Sequence, residues 1–205
     1  MRVESLCLGQ FFVNCYVVIA DSGKAIIIDP GSEPQKIKKL IDKLKIKPSF
    51  ILHTHAHFDH IGADNVLSLP VYIHKDDFSL LKDPVLNLSS IFGQPFTVDS
   101  KIITFDSEGY INLDEINLKV IHTPGHTRGS SCFLFLNQNK KILFSGDTLF
   151  CLGIGRTDFP QSSHEELIKS IKEKLFLLDD DTLVYPGHGP STTIGKEKKE
   201  NSFLR

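Results

Sequence analysis

The chain has 205 residues, 40% hydrophobic and 23% charged, a balance that suits one domain spanning residues 1–205. Its formal net charge of −2 gives no reason to expect nucleic acid or an anionic membrane as the main partner. No apolar run approaches the ~20 residues that a membrane-spanning helix needs.

The first apolar stretch, Leu6 to Ala20, is broken by Gln10 and Asn14 and preceded by a single basic side chain, Arg2. A buried strand pair fits it better than a secretory leader. Short β-branched runs predict strands at Cys15 to Ala20, Ala25 to Asp29, Phe50 to His53 and Val71 to His74. Further runs follow at Leu118 to His122, Ser131 to Leu136, Lys141 to Ser145 and Thr182 to Tyr185, each bounded by Gly, Pro, Asp or Asn. Ile37, Leu40, Ile41 and Leu44 recur at helical spacing, with Lys36, Lys38, Lys39 and Lys43 forming the solvated face. A second helix starts near Ser162 to Glu166, whose hydroxyl and acidic side chains suit an N-terminus, and buries Leu167, Ile168, Ile171 and Leu175. Cys7, Cys15, Cys132 and Cys151 show no C-x-x-C pairing and read as buried, reduced thiols of a cytoplasmic protein.

The chemistry concentrates at Thr54-His55-Ala56-His57-Phe58-Asp59-His60, which holds three imidazoles and a carboxylate within six residues. In an extended segment alternate side chains share a face, so His55 and His57 project together. A turn at Phe58 brings Asp59 and His60 round to the same cavity, which points to two metal ions rather than one. Three short motifs supply further ligands: His126 after Pro124-Gly125, Asp147 after Ser145-Gly146, and His188 after Pro186-Gly187. Each follows an apolar strand, and the glycine before each ligand lets the backbone turn sharply and approach a metal. A carboxylate can link two cations, and neutral imidazole suits zinc or iron better than calcium or magnesium. No cysteine occupies a ligand position. Of the remaining histidines, His53 and His122 end strands just before ligands, in the repeated Leu/Ile-His-Thr pattern, and are placed to hydrogen-bond behind them or to serve the core. His74 reads as structural, and His164 belongs to the second helix start.

With these motifs in order, the chain resembles the metallo-β-lactamase superfamily, whose H-x-H-x-D-H signature is met by His55, His57, Asp59 and His60. The resemblance implies an α/β fold of the α+β type, a four-layer αββα sandwich of two mixed sheets flanked by helices. It further implies that His55, His57 and His126 hold one metal, that Asp59, His60 and His188 hold a second, and that Asp147 bridges both. Two divalent ions are expected, zinc first, with iron or manganese as the other candidates. Two adjacent cations lower the pKa of a shared water, and Asp59 can both ligate and orient that nucleophile, which makes it the catalytic residue.

Ser145 to Phe150, followed by Gly153 to Pro160, looks like the glyoxalase II (hydroxyacylglutathione hydrolase) branch, and Gly187 to Pro190 with Asn201 to Leu204 looks like its short bacterial members. That resemblance implies hydrolysis of a small-molecule thioester such as S-D-lactoylglutathione, in which the thiolate leaves without strong general-acid help. Arg156 falls where glyoxalase II carries a basic residue that meets glutathione, which implies substrate binding; the other reading is an ion pair with Asp158. The chain departs from glyoxalase II in lacking its C-terminal helical glutathione-binding extension and the tyrosine after the last histidine, where Pro190-Ser191-Thr192 stand. The rival is a mono-iron persulfide dioxygenase, whose branch shares the stretch Gly155 to Phe159. A class B β-lactamase fits less well, since its second site commonly uses cysteine where this chain has Asp147. A non-catalytic metal-binding protein on the same fold is opposed by the intact set of seven ligands.

Overall fold

The computed structural model describes residues 1–137 and 140–205 and lays their strands into two six-stranded mixed sheets and one two-stranded ribbon. The first sheet runs in chain order through β1 (Arg2–Leu8), β2 (Val13–Ile19), β3 (Lys24–Ile28), β4 (Lys47–Leu52), β5 (Val71–His74) and β6 (Ile102–Phe105). The first three strands pair antiparallel and the last four parallel. Helix α1 (Pro34–Leu44) makes the β3–β4 crossover, while α2 (Phe58–Ile61), α3 (Asp64–Leu67) and α4 (Phe78–Lys82) follow β4 and β5. The second sheet contains β7 (Tyr110–Leu113), β8 (Ile116–His122), β9 (Ser131–Asn137), β10 (Lys140–Gly146), β13 (Leu183–Pro186) and β14 (Thr192–Thr193). The ribbon of β11 (Leu149–Phe150) and β12 (Gly153–Ile154) leads to α5 (His164–Glu173), and α6 (Ile194–Glu200) follows β14.

Strands covered on both faces need consecutive apolar side chains, and β2 supplies them from Cys15 to Ile19 and β9 from Cys132 to Phe135. In β2, Cys15, Val17 and Ile19 pack beneath α1 with Ile37, while Tyr16 and Val18 face the other sheet. In β9, Phe133 and Phe135 enter that same inter-sheet layer, and Cys132 and Leu134 pack with Leu167 and Ile171 of α5. Three apolar layers between four structural layers make the αββα sandwich that the resemblance implies. Pro48 shifts the β3–β4 register, where a missing N–H interrupts the ladder. The Ser163 hydroxyl accepts from the Glu166 N–H at 3.3 Å and starts α5 as its residue types predict.

Two expectations are corrected. Cys7 is exposed and Cys151 half-buried, so of the four thiols Cys15 and Cys132 alone are core residues. Cys7 lies outside the core because β1 is an edge strand with alternating exposure; the Leu6 to Ala20 strand pair is buried throughout only on its β2 side. Strands β6, β7, β11, β12 and β14 were not foreseen, being short or at sheet edges where neither apolar face is complete. Among the described residues no helix is long and apolar enough to cross a membrane.

Phe144 is fully buried at the centre of the inter-sheet layer. Phe144→Ala should lower unfolding stability by about 3–5 kcal/mol in urea titration, and a loss under about 1 kcal/mol would contradict this packing.

Candidate metal centre

The loop after β4 leaves the sheet extended and then turns into α2 at Phe58, with His57 in extended conformation just before the helix. That turn gathers the side chains round one cavity, with the His55 ring 4.9 Å from His57 and 4.2 Å from His60. His55, His57 and His126 bring one nitrogen each to within 4.8 Å of one another. His57 Nδ1 and His126 Nε2 lie 2.9 Å apart, and His55 Nε2 is buried without a partner. His126 Nδ1 donates to the Arg156 carbonyl at 2.8 Å, which turns its Nε2 lone pair inward. Burial, with His126 next, lowers His57 to about 3 and likewise holds His55 well below the usual value, so both are neutral imidazoles, the ligating form.

Asp59, His60 and His188 form a second group with the same spacing. His60 Nε2 and His188 Nε2 stand 3.3 Å apart, and His188 Nδ1 is fixed by the Phe11 carbonyl at 2.9 Å. Burial opposes charge on His60, yet Asp59 and Asp147 push its pKa well above the usual range; this pocket favours a cation. Asp147 lies between the groups. Its Oδ2 is 3.6 Å from His126 Nε2 and 3.6 Å from His188 Nε2, its Oδ1 is 3.4 Å from His60 Nε2, and Oδ1 is buried without a hydrogen bond. Orphaned polar atoms aimed into one cavity by neutral nitrogens and shared carboxylates fit a pair of divalent ions. All seven residues singled out from the sequence therefore converge.

Several supporting residues escaped the sequence reading. Asp29, at the end of β3, accepts from the Thr54 N–H at 2.9 Å and its hydroxyl at 2.6 Å, and its Oδ2 sits 3.1 Å from His60 Nδ1. Its oxygens are thus committed to holding the loop and ring, although it also lies within ligand spacing of His55 and His60. His53, which the sequence does single out as either a support behind the ligands or a core residue, stands behind it, 3.3 Å from Asp29 and 2.8 Å from Asp64. Burial opposes its charge, but Asp64 and Asp29 raise it to about 9, so it is an imidazolium between two carboxylates. Buried Asp77 accepts from Ala56 N–H, Thr127 hydroxyl and Gly129 N–H at 3.3, 2.7 and 2.7 Å, joining the His55 loop to the His126 loop. Asn14 clamps the His188 loop through Pro186 and Gly189 carbonyls at 3.0 and 2.8 Å. The available signals were an acid closing an apolar run at Asp29 and a polar residue inside an apolar stretch at Asn14. Gly187 packs so tightly that a Cβ would strike Asp147 Oδ1, and Gly146 adopts φ +49°.

A family model described as the metallo-β-lactamase superfamily matches residues 8–188. The chain belongs to that superfamily. Hydroxyacylglutathione hydrolase GloC of Haemophilus influenzae is 38% identical to it over 211 residues, covering 100% of this chain and 98% of the relative. A crystal structure of a B3 metallo-β-lactamase superposes with a TM-score of 0.91 at 38% identity, covering 99% of both chains. Another, solved in a di-iron-bound form, gives 0.86 at 35% identity over 98% of this chain and 100% of its own. Membership establishes a metal-binding enzyme fold of hydrolase type, while the di-iron neighbour leaves the metal's identity open.

Within this superfamily fold the Arg156 side chain is engaged locally. It donates to both Asp158 oxygens at 2.9 and 2.7 Å and lies 4.4 Å over the Phe159 ring. Its backbone carbonyl, by contrast, orients His126. His164 opens α5 as expected. His74 and His122 stack at 4.2 Å with planes 8° apart, beside Asp76. Parallel rings do not converge their in-plane lone pairs, and His122 Nε2 already donates to the Arg128 carbonyl at 2.8 Å, so this group serves the fold. Burial first, and His122 second, lower His74 from 6.5 to about 4. A depressed histidine contributes stability present above pH 6.5 and lost as pH falls through 4. Thermal unfolding should show that loss, and His74→Phe should flatten it; an unchanged slope in the variant would contradict the assignment.

Proposed function

We propose that the protein is a binuclear metallohydrolase that cleaves the thioester of a small acyl-thiol, of the S-D-lactoylglutathione type. The observation that carries this reading is Asp147, whose carboxylate reaches imidazoles of both histidine clusters. His55, His57 and His126 would hold one ion, Asp59, His60 and His188 the other, and Asp147 both. Zinc is the ion we assign, with iron or manganese accepted by the same donors. Such ions lower the pKa of a water to near neutrality and polarise the carbonyl under attack.

The residues do the rest. Asp59, half-buried with Oδ2 3.4 Å from His188 Nε2, orients the attacking water and takes its proton. Neutral His55 and His57 keep their lone pairs free of protons at physiological pH. The Phe159 ring, 5.3 Å from His57, limits water on the first cluster's side. A thiolate leaves unassisted, so this reaction needs no dedicated general acid. The likeness to GloC along the whole chain supports this substrate class. Arg156 meets substrate, in this reading, only by exchanging Asp158 for it; its present engagement favours the structural role.

A second reading is β-lactam hydrolysis, favoured by the whole-length likeness to a B3 metallo-β-lactamase. The cysteine criterion by which the sequence disfavoured it does not outweigh that similarity. The mono-iron persulfide dioxygenase stands as the third.

Zinc- and iron-loaded protein should be assayed on S-D-lactoylglutathione and related thioesters, on a chromogenic cephalosporin, and for oxygen uptake with glutathione persulfide. Thioester cleavage is expected to dominate, and Asp59→Ala should lower it on the order of a hundredfold or more while metal content falls toward one ion per chain. Oxygen uptake or cephalosporin turnover without thioester cleavage would overturn the proposal.

A further inference from the structure

A cavity of about 750 Å³ opens beside Asp59, away from the Phe159 side. Its wall is aromatic. Phe11 from the β1–β2 turn, Phe58 of α2 and Phe92 from the segment after α4 pack with centroids 5.1, 5.2 and 4.6 Å apart. Leu8, Val13 and Phe96 extend the apolar lining, and Gln10, Ser32 and Gln94 supply its uncharged polar side chains. Phe11 and Phe92 remain 41% and 47% exposed, so three rings gather into a patch that the protein itself leaves uncovered.

The wall is built rather than incidental. The Phe58 N–H donates to the Asn87 carbonyl at 2.9 Å, tying the Phe92 segment to the helix that carries Asp59. Asn87 is fully buried, and its amide donates to the Phe96 carbonyl at 3.1 Å while its side-chain oxygen accepts from Ser89 N–H at 2.9 Å. Charge points the same way. Apart from Asp59, the charged residues of the lining are Glu33 and Lys36, which pair with each other at 2.8 Å. A peptide-like thiol bearing carboxylates finds no unpaired cation among them, whereas an apolar group gains by covering exposed rings.

We infer that this cavity is the acyl subsite, and that it takes an apolar acyl group, aryl or medium-chain alkyl, with the scissile carbonyl beside Asp59 and the thiol outside. The inference rests on the thioester reading and narrows it: the preferred substrate carries an apolar acyl group rather than lactoyl, because an alkyl or aryl group covers more of the exposed Phe11 and Phe92 surface than a short hydroxyacyl group does.

Metal-loaded protein should be assayed on N-acetylcysteamine thioesters bearing acetyl, lactoyl, hexanoyl and phenylacetyl groups. The phenylacetyl ester should exceed the acetyl ester in kcat/KM by about tenfold or more. Phe92→Ala should bring that ratio close to one, whereas Leu177→Ala, at a residue 79% exposed outside the cavity, should preserve it. Calorimetry with non-hydrolysable thioethers gives a readout independent of turnover: the phenethyl thioether should bind about tenfold tighter than the ethyl, and Phe92→Ala should abolish the difference. A flat acyl series with intact hydrolysis overturns the subsite and leaves the thioesterase standing. So does a preference that survives Phe92→Ala, or one that follows the thiol when the acyl group is held constant. Absence of thioester turnover with the phenethyl preference retained contradicts the hydrolase reading and upholds the apolar subsite.

Discussion

The Asp147 carboxylate is the point through which the two histidine clusters communicate. Its oxygens lie 3.4 to 3.6 Å from His60, His126 and His188, imidazoles carried by loops of both sheets. A half-buried carboxylate, 12% exposed and with its buried Oδ1 lacking any hydrogen bond, is costly unless a positive charge meets it. The neutral imidazoles of His55 and His57 supply lone pairs and no such charge, while His60 and His188, raised against burial by Asp59 and Asp147, mark the pocket as one that draws positive charge. Cations shared between the clusters satisfy both demands together, and that requirement explains why so many polar atoms converge where the apolar layers end.

The fold meets this requirement by anchoring every ligand loop to a rigid strand end. Asp29 ties the His55 loop to β3, Asp77 ties it to the His126 loop, and Asn14 in β2 ties the His188 loop across to the other sheet. Each anchor has two or more partners, and Asp29 and Asp77 are buried, so moving the His55 loop would leave donors unpaired in the core. Glycine does the complementary work by removing side-chain volume: any Cβ at Gly187 would occupy the space of Asp147. Rigidity of this kind positions the site; the aromatic cavity beside Asp59 then addresses what may enter it.

The ligands were legible from the sequence because His55 to His60 are local, and because His126, Asp147 and His188 each follow an apolar run and a glycine. The central strands were legible for a related reason, since burial on both faces leaves apolar runs at Cys15 to Ile19 in β2, Cys132 to Phe135 in β9 and Ile142 to Phe144 in β10. The anchors were not, because Asp29 acquires its role only when parallel pairing of β3 and β4 sets it beside Thr54. Asp77 likewise meets Gly129, 52 positions further along the chain, only once the tertiary structure forms. Cys7 shows the converse error: an apolar-looking stretch reads as core, yet edge position exposes it. Phe11, Phe58 and Phe92 are unremarkable among 15 phenylalanines until tertiary structure gathers them.

The most direct measurement is anomalous diffraction from crystals of protein loaded with zinc, paired with metal content per chain. Two ions are expected, both with an Asp147 oxygen at roughly 2.0–2.2 Å. A single ion at full occupancy, or two ions that do not share Asp147, would contradict the account.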